Sequence, residues 1–151
     1  MRTQSGRQGL VGSAAAGPGQ FGEILPFGLL AAAAVSLTNN VAKTIASRVL
    51  GPGTYLCIGF IGFNPTNALT TVGYMWAAIS ETDNSQGAAD DFGPGGIGLP
   101  PGDPGLGILS FKHGFHICTV PQGQTKTVYL VARSSFDQTM TAYGQAIAVR
   151  I

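Results

Sequence analysis

Charge is what this chain has least of. Only 10% of its 151 residues are charged, against about a quarter in an ordinary globular domain. Eight Lys and Arg stand against seven Asp and Glu, for a formal net charge of +1. That balance supplies neither the basic footprint of a nucleic-acid binder nor a polybasic membrane patch, so neither nucleic acid nor membrane is an expected partner. Cysteine is scarce too. The two present, Cys57 and Cys118, lack the paired spacing of zinc sites and fall in apolar stretches, where buried free thiols are the default; a bridge between them stays open. No helix-length apolar run exists either. The candidate, residues 24–35 (ILPFGLLAAAAV), is broken by Pro26 and Gly28 and falls short of the roughly 18 residues that a spanning helix needs. The one glycosylation-like triplet, Asn64-Pro65-Thr66, is blocked by its proline.

Recognisable catalytic chemistry is missing as well. His113 and His116 stand three apart on a predicted strand, so they point to opposite faces and do not converge on one metal. His116 and Cys118 share a face, but two ligands are too few for a structural zinc. The glycine spacings at Gly17, Gly19 and Gly22 and at Gly93, Gly95 and Gly98 lie outside any strand, turn and helix unit that binds dinucleotides. No serine sits in a nucleophile elbow. The expectation is a protein without catalytic residues, metal or cofactor.

What the chain does have is β-sheet patterning. The stretch that organises it is Thr54 to Pro65, TYLCIGFIGFNP, entered through Gly51-Pro52-Gly53. Alternation places Leu56, Ile58 and Phe60 on one face and Cys57, Ile61 and Phe63 on the other. Both faces are apolar, so each requires something packed against it: one the second sheet of a sandwich, the other a further chain or segment. Thr70 to Ser80 (TTVGYMWAAIS) reads as another two-faced strand, with Val72, Tyr74, Trp76 and Ala78 on one side and Met75, Ala77 and Ile79 on the other. Shorter strands are predicted at 35–38 and 43–50, and longer ones at 108–120, 125–134 and 139–151. Along the last, Tyr143, Ile147, Val149 and Ile151 share a face, while Ala142, Gly144, Ala146 and Ala148 form a small-residue face that admits close approach.

Two stretches stand apart. Residues 1–22 are rich in Gly, Ala, Ser and Gln and bury too little alone to offset chain entropy, so they are expected to order on a partner. The loop 81–107 holds four prolines and five of the seven acidic residues. Its acids lack calcium-loop spacing, and it reads as a solvated, partner-facing loop. Seven or so strands with turns about every ten residues predict an all-β fold, a jelly-roll-like antiparallel β-sandwich. The length fits one such domain over residues 35–151 with an extended N-terminal arm over 1–34.

The segments KTIASRVLGPGTYLCIGFIGF, TVGYMWAAIS, TKTVYLVARSSF and TMTAYGQAIAVRI carry a resemblance to the small jelly-roll domains of tailed-bacteriophage virions, including trimeric capsid cement (decoration) proteins and fibre tips. It covers about Val35 to Ile151, and nothing in it accounts for residues 1–34. Lack of a repetitive shaft points to the cement members. The resemblance implies a structural virion protein on the capsid exterior, assembled in the host cytoplasm, with the major capsid protein and its own copies as partners. The arm would bind capsid through Arg2, Arg7, Phe21, Ile24, Leu25, Phe27, Leu29 and Leu30. The trimer interface would use Phe60, Phe63, Tyr74, Trp76 and Tyr143. The alternative is a receptor-binding or adhesive fibre-tip module that recognises its target through loop 81–107; a small soluble enzyme or carbohydrate-binding domain is a third reading.

Overall fold

The computed structural model describes residues 17–67, 70–85 and 110–151 together with the two-residue strand at 97–98; for 97–98 and 110–113 the backbone alone is described. The chain is an all-β sandwich of two antiparallel sheets. Its strands are β1 (Ile24–Leu29), β2 (Val35–Ser36), β3 (Lys43–Leu50), β4 (Gly53–Pro65), β5 (Val72–Ser80), β6 (Ile97–Gly98), β7 (Ser110–Val120), β8 (Lys126–Phe136) and β9 (Met140–Arg150). Sheet A runs β1-β9-β4-β7, with β2 also pairing β9, and sheet B runs β3-β8-β5-β6. Apart from β1 with β2 and β5 with β6, consecutive strands therefore lie in opposite sheets.

The organising strand behaves as its alternation demands. Tyr55, Cys57, Ile61 and Phe63 of β4 face inward and are at most 1% exposed. From β9, Met140, Ala142, Ala146 and Ala148 join them, and from sheet B come Met75, Ala77, Ile79, Val128, Leu130 and Ala132. The small-residue face of β9 does receive the opposite sheet. A side chain at Gly144 would stand 3.0 Å from Leu130 Cδ2 and 2.4 Å from the Phe60 carbonyl oxygen, so only glycine admits β4 and Leu130 together. Burial of Leu, Ile and Phe side chains is worth roughly 1.5–3 kcal/mol each, and this interior is what holds the sheets together.

Gly53 opens β4 with φ 144°, a conformation disfavoured for residues with a Cβ. Its bare Cα also makes room for Arg150, whose guanidinium would lie 2.7 Å from a Cβ there. Arg150 Nη1 donates to the Tyr55 hydroxyl at 3.2 Å, Nη2 donates to the Pro52 carbonyl, and Glu23 stands 3.9 Å away. The end of β9 is thereby locked to the entry of β4 and to the residues before β1.

Three expectations need correction. Residues 24–29 are not part of an arm: Ile24–Leu29 pair antiparallel with β9 from Ile24 opposite Val149 to Leu29 opposite Gly144. Leu25, Phe27 and Leu29 pack on the core, because alternation gives this strand one apolar inner face that outweighs Pro26 and Gly28. An edge strand tolerates a proline, since the missing N–H can be the outward one. Second, Val72 does not share a face with Tyr74. The pairing shifts between Val72 opposite Phe136 and Tyr74 opposite Ser135, and this bulge at Gly73 turns Val72 inward with Met75, Ala77 and Ile79. Third, Phe63 is wholly buried in the core and is not a surface residue.

Candidate functional site

The outward face of sheet A is built by register. Ile24 lies opposite Val149, Val149 opposite Leu56 and Leu56 opposite Ile117, so these four residues form one row across the sheet. Two residues along, Pro26, Ile147, Ile58 and Phe115 form a second. Neither row contains a polar or charged side chain. Among the described residues, the exposures of Ile24 (60%), Ile117 (58%), Phe115 (47%), Ile58 (43%) and Ile147 (37%) leave much of this surface open. Thr54 and Thr119, whose hydroxyls stand 3.4 Å apart, close one end. Toward the other end, Phe60 pairs with Gln145, and Tyr143 lies over Gly62. A shallow depression of about 520 Å³ between Pro26, Leu30, Ile58, Phe60, Gln145 and Ile147 sits within the face.

Single apolar residues on a surface are ordinary, but a continuous pair of rows is the mark of an interaction surface. Of the five residues expected at a trimer interface, Phe60 and Tyr143 lie on this face. Tyr74 and Trp76 lie on the outer face of sheet B, where Trp76 pairs with Arg133 and Tyr74 with Ser135. The five thus share no surface. The reading missed Ile117, Phe115, Ile147 and Val149 as neighbours of Ile58 and Leu56; the signal was the apolar outer parity of each strand, but register alone makes it a patch. Of the arm residues, Phe21, Ile24 and Leu30 are exposed, and Ile24 belongs to the face. Arg2, Arg7 and most of loop 81–107 lie outside the described residues.

A second cluster sits where β5 meets β7. Glu81 follows the last residue of β5, His116 and Cys118 stand on the inward side of β7, and Lys126 opens β8. Glu81 Oε2 accepts from Lys126 Nζ at 2.7 Å, and Glu81 Oε1 is 3.1 Å from His116 Nε2. Burial opposes ionisation of Glu81, but hydrogen bonds from Lys126, His116 and the Cys118 thiol outweigh it and hold the carboxyl below its ordinary value. Burial, reinforced by the hydrogen bond to Glu81, pushes the Cys118 thiol up to about 12. Burial and the Glu81 charge push Cys57 up to about 12 as well. Both cysteines are free and buried, and as neutral thiols they are poor nucleophiles. Sequence reading found His116 and Cys118 on one face but not Glu81, which no local pattern links to them.

Among the described residues no helix is long and apolar enough to cross a membrane. No family model matches the chain, and no characterised protein or solved structure shows significant similarity to it.

Proposed function

We propose that this protein is a non-catalytic assembly subunit that self-associates through the outward face of sheet A, as a capsid decoration protein of a tailed bacteriophage. The observation that carries the reading is the pair of uncharged apolar rows, Ile24–Val149–Leu56–Ile117 and Pro26–Ile147–Ile58–Phe115. A continuous apolar surface of this kind is what an obligate interface between identical subunits uses. Low total charge supports it further, because a free monomer has little else to keep it in solution. The strand order, with the chain passing between sheets at nearly every turn, supports the jelly-roll reading. The trimer and the phage shell come from the resemblance of residues 35–151 to virion jelly rolls. A subunit that binds only the assembled shell stabilises it by mass action.

Sedimentation equilibrium at micromolar concentration tests the association: a trimer is expected, and a stable soluble monomer overturns it. The shell role is tested on particles with and without the protein. Shells lacking it should rupture at lower temperature and in low salt while adsorbing to host cells normally. Intact shells that fail to adsorb would instead favour the receptor-binding alternative.

A further inference from the structure

The cluster at the junction of β5 and β7 has no part in the assembly surface, yet its composition is specific. It places a carboxylate, an imidazole and a thiol, from Glu81, His116 and Cys118, with one ligand atom of each within 4.8 Å of the others. We propose that Glu81, His116 and Cys118 form a binding site for a divalent transition metal of the zinc class, which clamps sheet B to sheet A at this edge.

The donor types select the ion. Thiolate and imidazole favour zinc and cobalt over magnesium or calcium, which require oxygen cages. The fold supplies the geometry. Cys118 and His116 are two apart on one strand, so both side chains leave the same side of β7. Glu81 reaches the same point from sheet B because the strands run close together: a side chain at Gly114 would touch the backbone of Ala78 and Ile79 at 3.1–3.2 Å. Metal–ligand bonds of about 2.0–2.3 Å place tetrahedral donors nearer one another than 4.8 Å. Closing requires inward torsion of Glu81, the most exposed of the three.

Binding is written with its protons. The Cys118 thiol proton is released to solvent as the Sγ–metal bond forms. His116 exchanges, through solvent, the Nε2 proton that it donates to Glu81 in the metal-free cluster for one on Nδ1, and binds through Nε2 as the neutral ring, while Glu81 binds through Oε1. Thiolate and carboxylate together balance the two positive charges of the ion. Lys126 stays on Oε2, orienting the carboxylate from outside the coordination shell. Three protein ligands leave the fourth position to water.

Cobalt(II) titration of the full chain, followed by optical absorption, tests this. The expected result is a 1:1 complex with a near-ultraviolet thiolate-to-cobalt band and tetrahedral visible bands, competed away by zinc. Cys118→Ser should abolish the near-ultraviolet band, Cys57→Ser should leave it, and His116→Ala and Glu81→Gln should each weaken binding by at least roughly tenfold. Zinc should raise the melting temperature of the wild type and not that of His116→Ala, a truncation on the edge strand β7 that leaves Glu81 its bond from Lys126. Absence of the thiolate band at millimolar cobalt overturns the proposal, as does a band that survives Cys118→Ser. So does cobalt affinity unchanged in His116→Ala and Glu81→Gln alongside lowered stability, which would make the cluster a hydrogen-bonded network only.

Discussion

The two sheets turn very different outer faces to their surroundings. Across sheet A, register assembles two rows of four apolar residues each, with five of the eight more than a third exposed. Across sheet B, rows at the equivalent depth mix polar with apolar: Ser47 with Tyr129 and Ser80, Trp76 with Arg133, Tyr74 with Ser135. Part of the outer face of sheet B is already covered. Val131 and Ala78, though directed outward, are 0% and 1% exposed within the single chain. Asn40, held at φ 61°, accepts from Arg133 Nη2 at 2.7 Å and from the Tyr74 hydroxyl, and Arg133 lies 6.0 Å from the centre of the Tyr74 ring. A sandwich needs only one buried face per sheet. The polar groups of sheet B finish that surface for water, whereas sheet A has apolar area left over, the area that the proposed self-association would cover.

The largest effect should follow from charging sheet A. Ile58→Lys combined with Phe115→Lys is expected to weaken self-association by at least about a thousandfold, about 4 kcal/mol, because two ammonium groups would be buried without partners. Sedimentation of this variant beside Thr127→Lys with Ser135→Lys, the matching change on sheet B, checks it. Equal losses from both would erase the distinction between the faces.

Next comes the interior that both faces share. Leu130 is fully buried and lies against Gly59 and Gly144, so Leu130→Ala should cost about 2–5 kcal/mol of folding stability in denaturant titrations. The rows of sheet A would stay chemically intact, so the melting point should fall more than the association constant of the protein that remains folded.

A smaller loss should come from the polar finish of sheet B. Asn40→Gly keeps the positive φ while removing the acceptor for Arg133 and Tyr74, and it should cost about 1 kcal/mol in urea with no change in assembly. A change in oligomeric state would show that sheet B also carries an interface.

The smallest effect concerns pH. Asp137 accepts from the Thr71 backbone N–H at 2.8 Å and from its hydroxyl, and these bonds hold its carboxyl below the ordinary 3.8. A carboxylate with a depressed folded-state pKa contributes stability that is complete above the unfolded value and lost as pH falls through the folded one. Melting of wild type and Asp137→Asn should therefore differ slightly at neutral pH and converge below pH 3.8. A difference that persists in strong acid would mean that the ionised carboxylate is not its source.

Much of this architecture was legible because side-chain alternation is local. The two faces of β4 and β9 could be read directly, and so could the all-β class, the turns at Gly51-Pro52-Gly53 and the buried condition of both cysteines. The arm boundary was misplaced because Pro26, Gly28 and the alanines suggest a break, while the pairing that makes 24–29 an edge strand comes from β9, more than a hundred residues away. The expected interface failed similarly. The resemblance implies one interface for Tyr74, Trp76, Phe60, Phe63 and Tyr143, but the sandwich distributes them over two outer faces and the core.

By itself, the sequence determined that this is a low-charge β protein whose organising strand is apolar on both sides, since composition and a period of two are properties of the chain alone. Tertiary structure decided which strands became neighbours, and thus that Ile24, Val149, Leu56 and Ile117 form one row. It also brought Glu81 to His116 and Cys118, which lie 35 and 37 positions further along. Register and sheet packing depend on non-local hydrogen bonds and on which inner faces fit together, and no window of the sequence contains both partners.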